Sequence, residues 1–306
     1  MKNKIVEANI CMVISKGFSG LNMNALKYLL PFWISPFTGV ALRCVFAAVA
    51  FWIISFFVPS EHSTGKQKVQ IFLLGALGVY GYMCLYLVGL SKTTPVSSSI
   101  FSTLQPVWVF LIAVLFYQEK VTWMKVVGIL IGLGGALLCI STQQSDDLAS
   151  DAFMGNMLCL ISSVVYAVYL ILSQRILSSI GAMTMLRYTF SGAAVSAIIV
   201  TFITGFDAPV FSMPFHWTPF LILMFVLIFP TTISYMLLPV GLKYLKTTVV
   251  AIYGYLILIV ATIASLALGQ DRFSWTQTCA IIFICIGVYL VEVAESKDKS
   301  PDPLKK

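Results

Sequence analysis

Apolar residues run along this chain in long uninterrupted blocks, at about 5–28, 34–58, 68–90, 94–117, 122–141, 153–177, 182–205, 218–241, 247–268 and 274–294. Each block is long enough to cross a hydrocarbon layer of about 30 Å as a helix. Hydrogen bonding inside one segment is what a single chain crossing lipid requires. The pattern therefore predicts an all-α integral membrane protein with ten transmembrane helices. The polar breaks are short. The longest, at 59–67, 142–152, 206–217 and the tail from Glu295, are too small to fold as soluble domains.

The blocks repeat. Residues 89–135 include Gly89-Leu90, Gln118-Glu119-Lys120, Trp123 and Gly135. At an offset of 152, residues 241–287 place Gly241-Leu242, Gln270-Asp271-Arg272, Trp275 and Gly287 on those positions. A second echo sets Leu42-Arg43-x-x-Phe46 against Leu186-Arg187-x-x-Phe190, at an offset of 144. Ten helices and a duplication give five helices per half. Five is odd, so the second half re-enters the membrane from the opposite face and the repeat is inverted. We take 1–145 as the first repeat, 146–294 as the second and 295–306 as a polar cytoplasmic tail.

Composition agrees with the pattern: 59% of the 306 residues are hydrophobic and only 10% are charged, outside the soluble range. The net charge of +7 lies mostly in loops, so it reports orientation rather than nucleic-acid binding. With a cytoplasmic N-terminus, only Lys27, Lys92 and Arg272 fall in outer loops, Lys16, Arg43 and Arg187 fall within spans, and the other basic residues are cytoplasmic. The positive-inside rule then places both termini in the cytoplasm. The seven cysteines all fall in apolar runs without a CxxC pair, which reads as packing rather than disulfides or zinc. The first run has no cleavage-site pattern and reads as a retained helix rather than a signal peptide.

Three further features carry a resemblance: Ser35-Pro36 with Arg43 on the second helix, Pro106 and terminal Glu119 on the fourth, and Gly128-x-x-x-Gly132-x-Gly-Gly135 on the fifth. With the ten spans and the inverted repeat, the chain resembles the ten-helix EamA type of the drug/metabolite transporter superfamily over nearly its whole length. The second half departs from the pattern, with Leu258 where Pro106 predicts proline and Asp271 in place of the glutamate. The resemblance implies transport of small metabolites, amino acids in some members and sugar phosphates or nucleotide sugars in others.

Lys16 lies near the centre of the first span. A charge there costs about 2.5–3.5 kcal/mol on insertion scales. It anchors an anionic part of a substrate, or it pairs with helix carbonyls along a polar seam. Arg43 and Arg187 occupy equivalent repeat positions near opposite faces; they are gate residues, or packing residues bonded to loop carbonyls. Glu119 sits between two helices, where a carboxylate suits the N-terminus that follows, and Thr122 is a candidate cap. Pro106 and Pro230 each free a mid-span carbonyl, as hinges beside hydroxyl-rich faces or as plain kinks. Tyr82, Trp108, Tyr166, Tyr169, Tyr235, Tyr253 and Tyr255 lie inside spans, away from the interfacial belt, so their polar tips need partners. From these we take Lys16, Tyr82, Ser102, Gln105, Trp108, Tyr166, Tyr235 and Tyr253 as the candidate substrate site. Gly128-x-x-x-Gly132 marks a close helix contact, within the protein or in a homodimer.

Only Glu7 and Glu292 among the carboxylates fall within spans, both near ends. Proton- and sodium-coupled carriers commonly use mid-span carboxylates, so the pattern favours facilitated export or exchange. The leading expectation is an exporter of amino acids or other carboxylate-bearing molecules working by alternating access in a bacterial inner membrane. An organophosphate or nucleotide-sugar exchanger is the second. An intramembrane enzyme would want a His/Glu metal motif or paired mid-span aspartates, but His62 and His216 lie in loops. We expect no metal or cofactor, and the bilayer and a small-molecule substrate as partners.

Overall fold

The computed structural model describes residues 2–30, 32–58, 63–102, 104–117, 122–141, 149–177, 179–245, 247–270 and 275–297. They form helical rods, with no strand among the described residues. In chain order these are α1 (Lys2–Leu29), α2 (Pro36–Ser55), α3 (Gly65–Lys92), α4 (Pro95–Ser102 and Gln105–Tyr117), α5 (Trp123–Ser141), α6 (Ala149–Leu177), α7 (Ala182–Thr204), α8 (Trp217–Tyr244), α9 (Thr247–Ile252 and Gly254–Ala267) and α10 (Trp275–Lys297). Among the described residues, seven are long and apolar enough to cross a membrane: α2, α3, α4, α6, α7, α8 and α9. The molecule is thus a multi-pass, all-helical membrane protein. Each apolar block of the sequence coincides with one rod.

The rods start where local chemistry lets them. Ser35 caps α2, its Oγ accepting from the Thr38 amide, and Pro36 follows at the first helical position, where its missing N–H removes no helical bond. Thr64 and Gln67 form a reciprocal capping box at α3.

Four rods are irregular, and they match in pairs across the two halves of the chain. α3 widens to a π-helix at Leu74–Val79 and α8 does so at Leu227–Ile233. α4 breaks between Ser102 and Gln105, and α9 breaks at Tyr253. Pro106 therefore lies in the first turn of a new segment rather than kinking a continuous one. Gly254 opens the second segment of α9, so a glycine stands at the break where the repeat lacks a proline. Pro230 lies inside the π segment of α8. It cannot donate to the Val226 carbonyl, and Thr231 Oγ1 does so instead at 2.7 Å. Thr232 Oγ1 reaches Leu227 O at 2.9 Å. These hydroxyls satisfy carbonyls that lipid could not.

α5 lies along α10, α2 along α7, α3 along α6, and α1 between α8 and α9. Two of these contacts depend on missing side chains. A Cβ on Gly287 would stand 2.5 Å from Gly128 O and 2.6 Å from Gly132 N, so the GxxxG face of α5 is occupied by α10 of the same chain. Between α3 and α7, a Cβ on Gly75 would overlap the Thr189 carbonyl, and one on Gly192 the Phe72 carbonyl.

At one end of the bundle Lys27 Nζ donates to the carbonyls of Leu90, Ser91 and Thr93 at 3.2, 3.4 and 2.6 Å. Lys92 pairs with Asp151 at 3.3 Å, and the Ser35 amide donates to Asp207 O at 3.1 Å. At the other end Lys4 lies over Tyr244 and Trp52 Nε1 donates to Ser191 Oγ. Rods tied by these contacts run up and down alternately.

Because backbone cannot yield as a flexible side chain can, Gly75→Ala and Gly192→Ala should each lower the apparent melting temperature in detergent by roughly 5 °C or more. Gly134→Ala, where a Cβ meets nothing within 4 Å, should leave it unchanged.

Candidate functional site

The irregular rods surround a cavity of about 90 Å³, room for several waters. Its wall takes Ser15, Lys16, Ser19 and Asn22 from α1, Arg43 from α2, and Tyr82 and Tyr86 from α3. Ser102 and Gln105 come from either side of the α4 break, Ser162, Ser163 and Tyr166 from α6, and Pro230, Ser234 and Tyr235 from α8. α1 and α8 are stitched together at its edge. Ser15 Oγ donates to Ser234 O and Ser234 Oγ to Ser15 O, both at 3.1 Å.

Among the described residues two cations reach this wall and no carboxylate does. Lys16 is 3% exposed and Arg43 4%. Lys16 Nζ lies 5.4 Å from the centre of the Tyr166 ring, a cation–π contact that offsets part of its lost hydration. The Tyr82 ring packs against Tyr166 at 4.8 Å. Among the described residues no hydrogen bond or ion pair occupies the Lys16 ammonium. Arg43 Nε donates to Thr231 Oγ1 at 2.9 Å, so the guanidinium is tied to the π segment of α8. A pair of like charges in a low-dielectric pocket attracts an anion more strongly than the same pair in bulk water.

Six of the candidate substrate residues converge here: Lys16, Tyr82, Ser102, Gln105, Tyr166 and Tyr235. Two do not line the cavity. Trp108 stands one layer back, its Nε1 donating to Ser163 Oγ at 2.9 Å. Tyr253 turns away, its hydroxyl donating to Asn9 Oδ1 at 2.9 Å. Pro230 lines the cavity, while Pro106 starts a helix segment behind it. Tyr169 packs on Tyr166 at 5.9 Å. Glu119 lies outside the described residues, as does the Tyr255 side chain.

The arginines depart from the expected loop carbonyls. Arg43 turns inward and bonds a threonine of a facing rod. Arg187 lies against the Trp52 and Tyr188 rings, at 5.1 and 5.2 Å, and among the described residues its Nε is buried without a partner. The sequence reading missed Ser15, Ser19, Asn22, Tyr86, Ser162, Ser163 and Ser234. Ser15, Ser19 and Asn22 follow an i, i+4, i+7 spacing, a polar stripe on one face of α1 that accompanies the lone lysine.

A multi-pass helical bundle whose broken rods enclose a polar chamber defines the class, a membrane transporter. The family model of the EamA-like transporter family matches residues 7–141 and again 153–293, and the chain belongs to that family. It is 26% identical over 275 residues to the uncharacterized transporter YyaM of Bacillus subtilis, covering 89% of this chain and 88% of that protein. It is 25% identical to an uncharacterized transporter of Archaeoglobus fulgidus, covering 87% and 89%. A WAT1-related protein of Arabidopsis thaliana is 33% identical over 144 residues, 44% of this chain and 35% of that protein. A solved crystal structure superposes with a TM-score of 0.67 over 92% of this chain and 98% of the other, at 17% identity; it shares the fold.

Removing the Lys16 charge should relieve an unneutralised buried cation. Lys16→Met is expected to hold or raise the melting temperature of the ligand-free protein. Thr231→Val should lower it by roughly 5 °C, because Arg43 Nε and the Val226 carbonyl lose their side-chain partner. Thermal unfolding in detergent reads both signs.

Proposed function

We propose that this protein exports small carboxylate-bearing metabolites, amino acids among them, by alternating access. The observation that carries the reading is that Lys16 and Arg43 are both buried in the lining of one cavity to which, among the described residues, no carboxylate contributes. An intramembrane cation is retained at a cost, and a transported anion is what would offset it. The aromatic face of Tyr82 and Tyr166 suits the uncharged remainder of such a molecule.

The mechanism rests on reading the chain as ten spans in two inverted five-helix repeats. Packing supports that reading. Exchanging each rod of α1–α5 with its counterpart in α6–α10 maps α1 on α8 to α6 on α3, and α1 on α9 to α6 on α4; α2 on α7 and α5 on α10 map onto themselves. All of these contacts exist. The π segments begin within one residue of the 152-residue repeat offset, and both breaks fall in the fourth rod of their half. Paired interruptions of this kind mark the substrate site in inverted-repeat carriers. Rocking of the two halves opens the chamber first to the cytoplasm, where both termini lie by the positive-inside rule, and then to the other side.

A phosphate-bearing substrate is the second reading. It gains from Arg43, since two deep cations suit a dianion better than one lysine does. Counterflow in loaded liposomes separates exchange of phosphate esters from one-way release of carboxylates.

In proteoliposomes Lys16→Ala should reduce carboxylate export at least about tenfold, the factor lost with about 1.4 kcal/mol of binding, with the folded fraction unchanged. Undiminished transport by that variant refutes the assignment.

A further inference from the structure

Two amides in the cavity wall make no hydrogen bond among the described residues. Asn22 on α1 and Gln105 at the α4 break are each 6% exposed, and both line the chamber. Their oxygens, Asn22 Oδ1 and Gln105 Oε1, are sealed from solvent without a partner. Buried polar atoms are paired in nearly every fold, so an orphan calls for an explanation. The backbone leaves room for this one. A Cβ at Gly254 would stand 3.9 Å from Gln105 Oε1 and 3.5 Å from Ser102 O, so the two helix breaks meet beside the amide.

The orphan oxygens share a wall with unused donors. Among the described residues the Lys16 ammonium makes no hydrogen bond and Arg43 uses only Nε. Donors and acceptors of one small chamber have not paired with each other. A ligand complementary to both sets carries an anionic acceptor for the cations and a hydrogen-bond donor for the amides.

We propose that Asn22 and Gln105 are specificity-determining residues, accepting hydrogen bonds from a hydroxyl or ammonium group on the molecule whose carboxylate Lys16 and Arg43 hold. This rests on the transport function proposed above. A site built around buried hydrogen-bonding groups rejects analogues lacking the matching group, because its own polar atoms are then left unpaired. Bare aliphatic or aryl acids should therefore bind weakly even where they fit.

The test is calorimetric titration of the full-length protein in nanodiscs with two matched series: propionate, lactate and alanine; and 3-phenylpropionate, 3-phenyllactate and phenylalanine. In at least one series a donor-bearing acid should bind at least about tenfold more tightly than its bare parent, the factor one well-made buried hydrogen bond supplies. Asn22→Leu and Gln105→Leu should each shrink that ratio toward one and leave the bare parent within about twofold, in line with a lost specific contact. Their ligand-free melting temperatures should hold or rise. Comparing lactate with alanine, or its aryl counterpart, tells hydroxyl from ammonium. A wild-type ratio of one in every series overturns the inference. So does a ratio that survives both substitutions, which would mark the amides as merely wetted, or a fall in ligand-free melting temperature for both variants, which would mark them as packing residues. In each of those cases Lys16→Ala still weakens every acid if the transport reading holds. If no acid binds, or Lys16→Ala changes none, the transport reading itself fails and this inference falls with it.

Discussion

Lipid offers no hydrogen bonds, and this constraint orders the whole structure. A regular helix meets it unaided. A π segment or a break does not, and each must find hydroxyls, facing backbone or a polar space. Here the break of α4 and the π segment of α8 border one chamber, with Ser102, Gln105 and Pro230 in its wall. Thr231 and Thr232 close the carbonyl ladder that Pro230 opens, and Ser15 and Ser234 cross-bond α1 to α8 beside it. The chamber thus borders two places where helical order is given up, and regular rods complete its wall. The threonines lie behind the wall, and Ser15 and Ser234 are part of it.

The two halves are alike in outline and unlike in chemistry. Arg43 is tied to Thr231 in the π segment of α8. The residue 152 positions earlier is Val79, at the end of the π segment of α3, and it offers no hydroxyl. The repeat-equivalent Arg187 instead lies against the Trp52 and Tyr188 rings. The two arginines are thus held differently: one is tied to a facing rod, and the Nε of the other has no partner among the described residues.

Much of this was legible from the sequence, for identifiable reasons. Length and apolarity located the rods because bilayer thickness leaves little choice. Lys16 was legible as a lone charge in an apolar run, and Pro106 as a residue that cannot continue a helix. For Arg43 a gate residue and a loop-bonded packing residue were both open, because depth along a helix does not reveal which way a side chain turns. The π segments were invisible, since an inserted residue leaves hydropathy unchanged. Gly254 gave no warning of the α9 break, because glycine is common in membrane helices. Tyr253 and Trp108 were placed in the site on depth alone, and depth does not separate a cavity wall from the layer behind it. The polar stripe of Ser15, Ser19 and Asn22 was readable in principle from its helical spacing.

Size and charge together constrain what the chamber does. At about 90 Å³ it is well below the roughly 300–1,000 Å³ of pockets that take drug-sized ligands, so it suits a small molecule or a closed intermediate of a larger path. Two cations in its wall, with no carboxylate beside them among the described residues, repel each other in a medium that screens poorly. An anion entering the chamber gains from both, and its own hydration is replaced by fixed dipoles and amides. Binding and relief of repulsion are therefore one event.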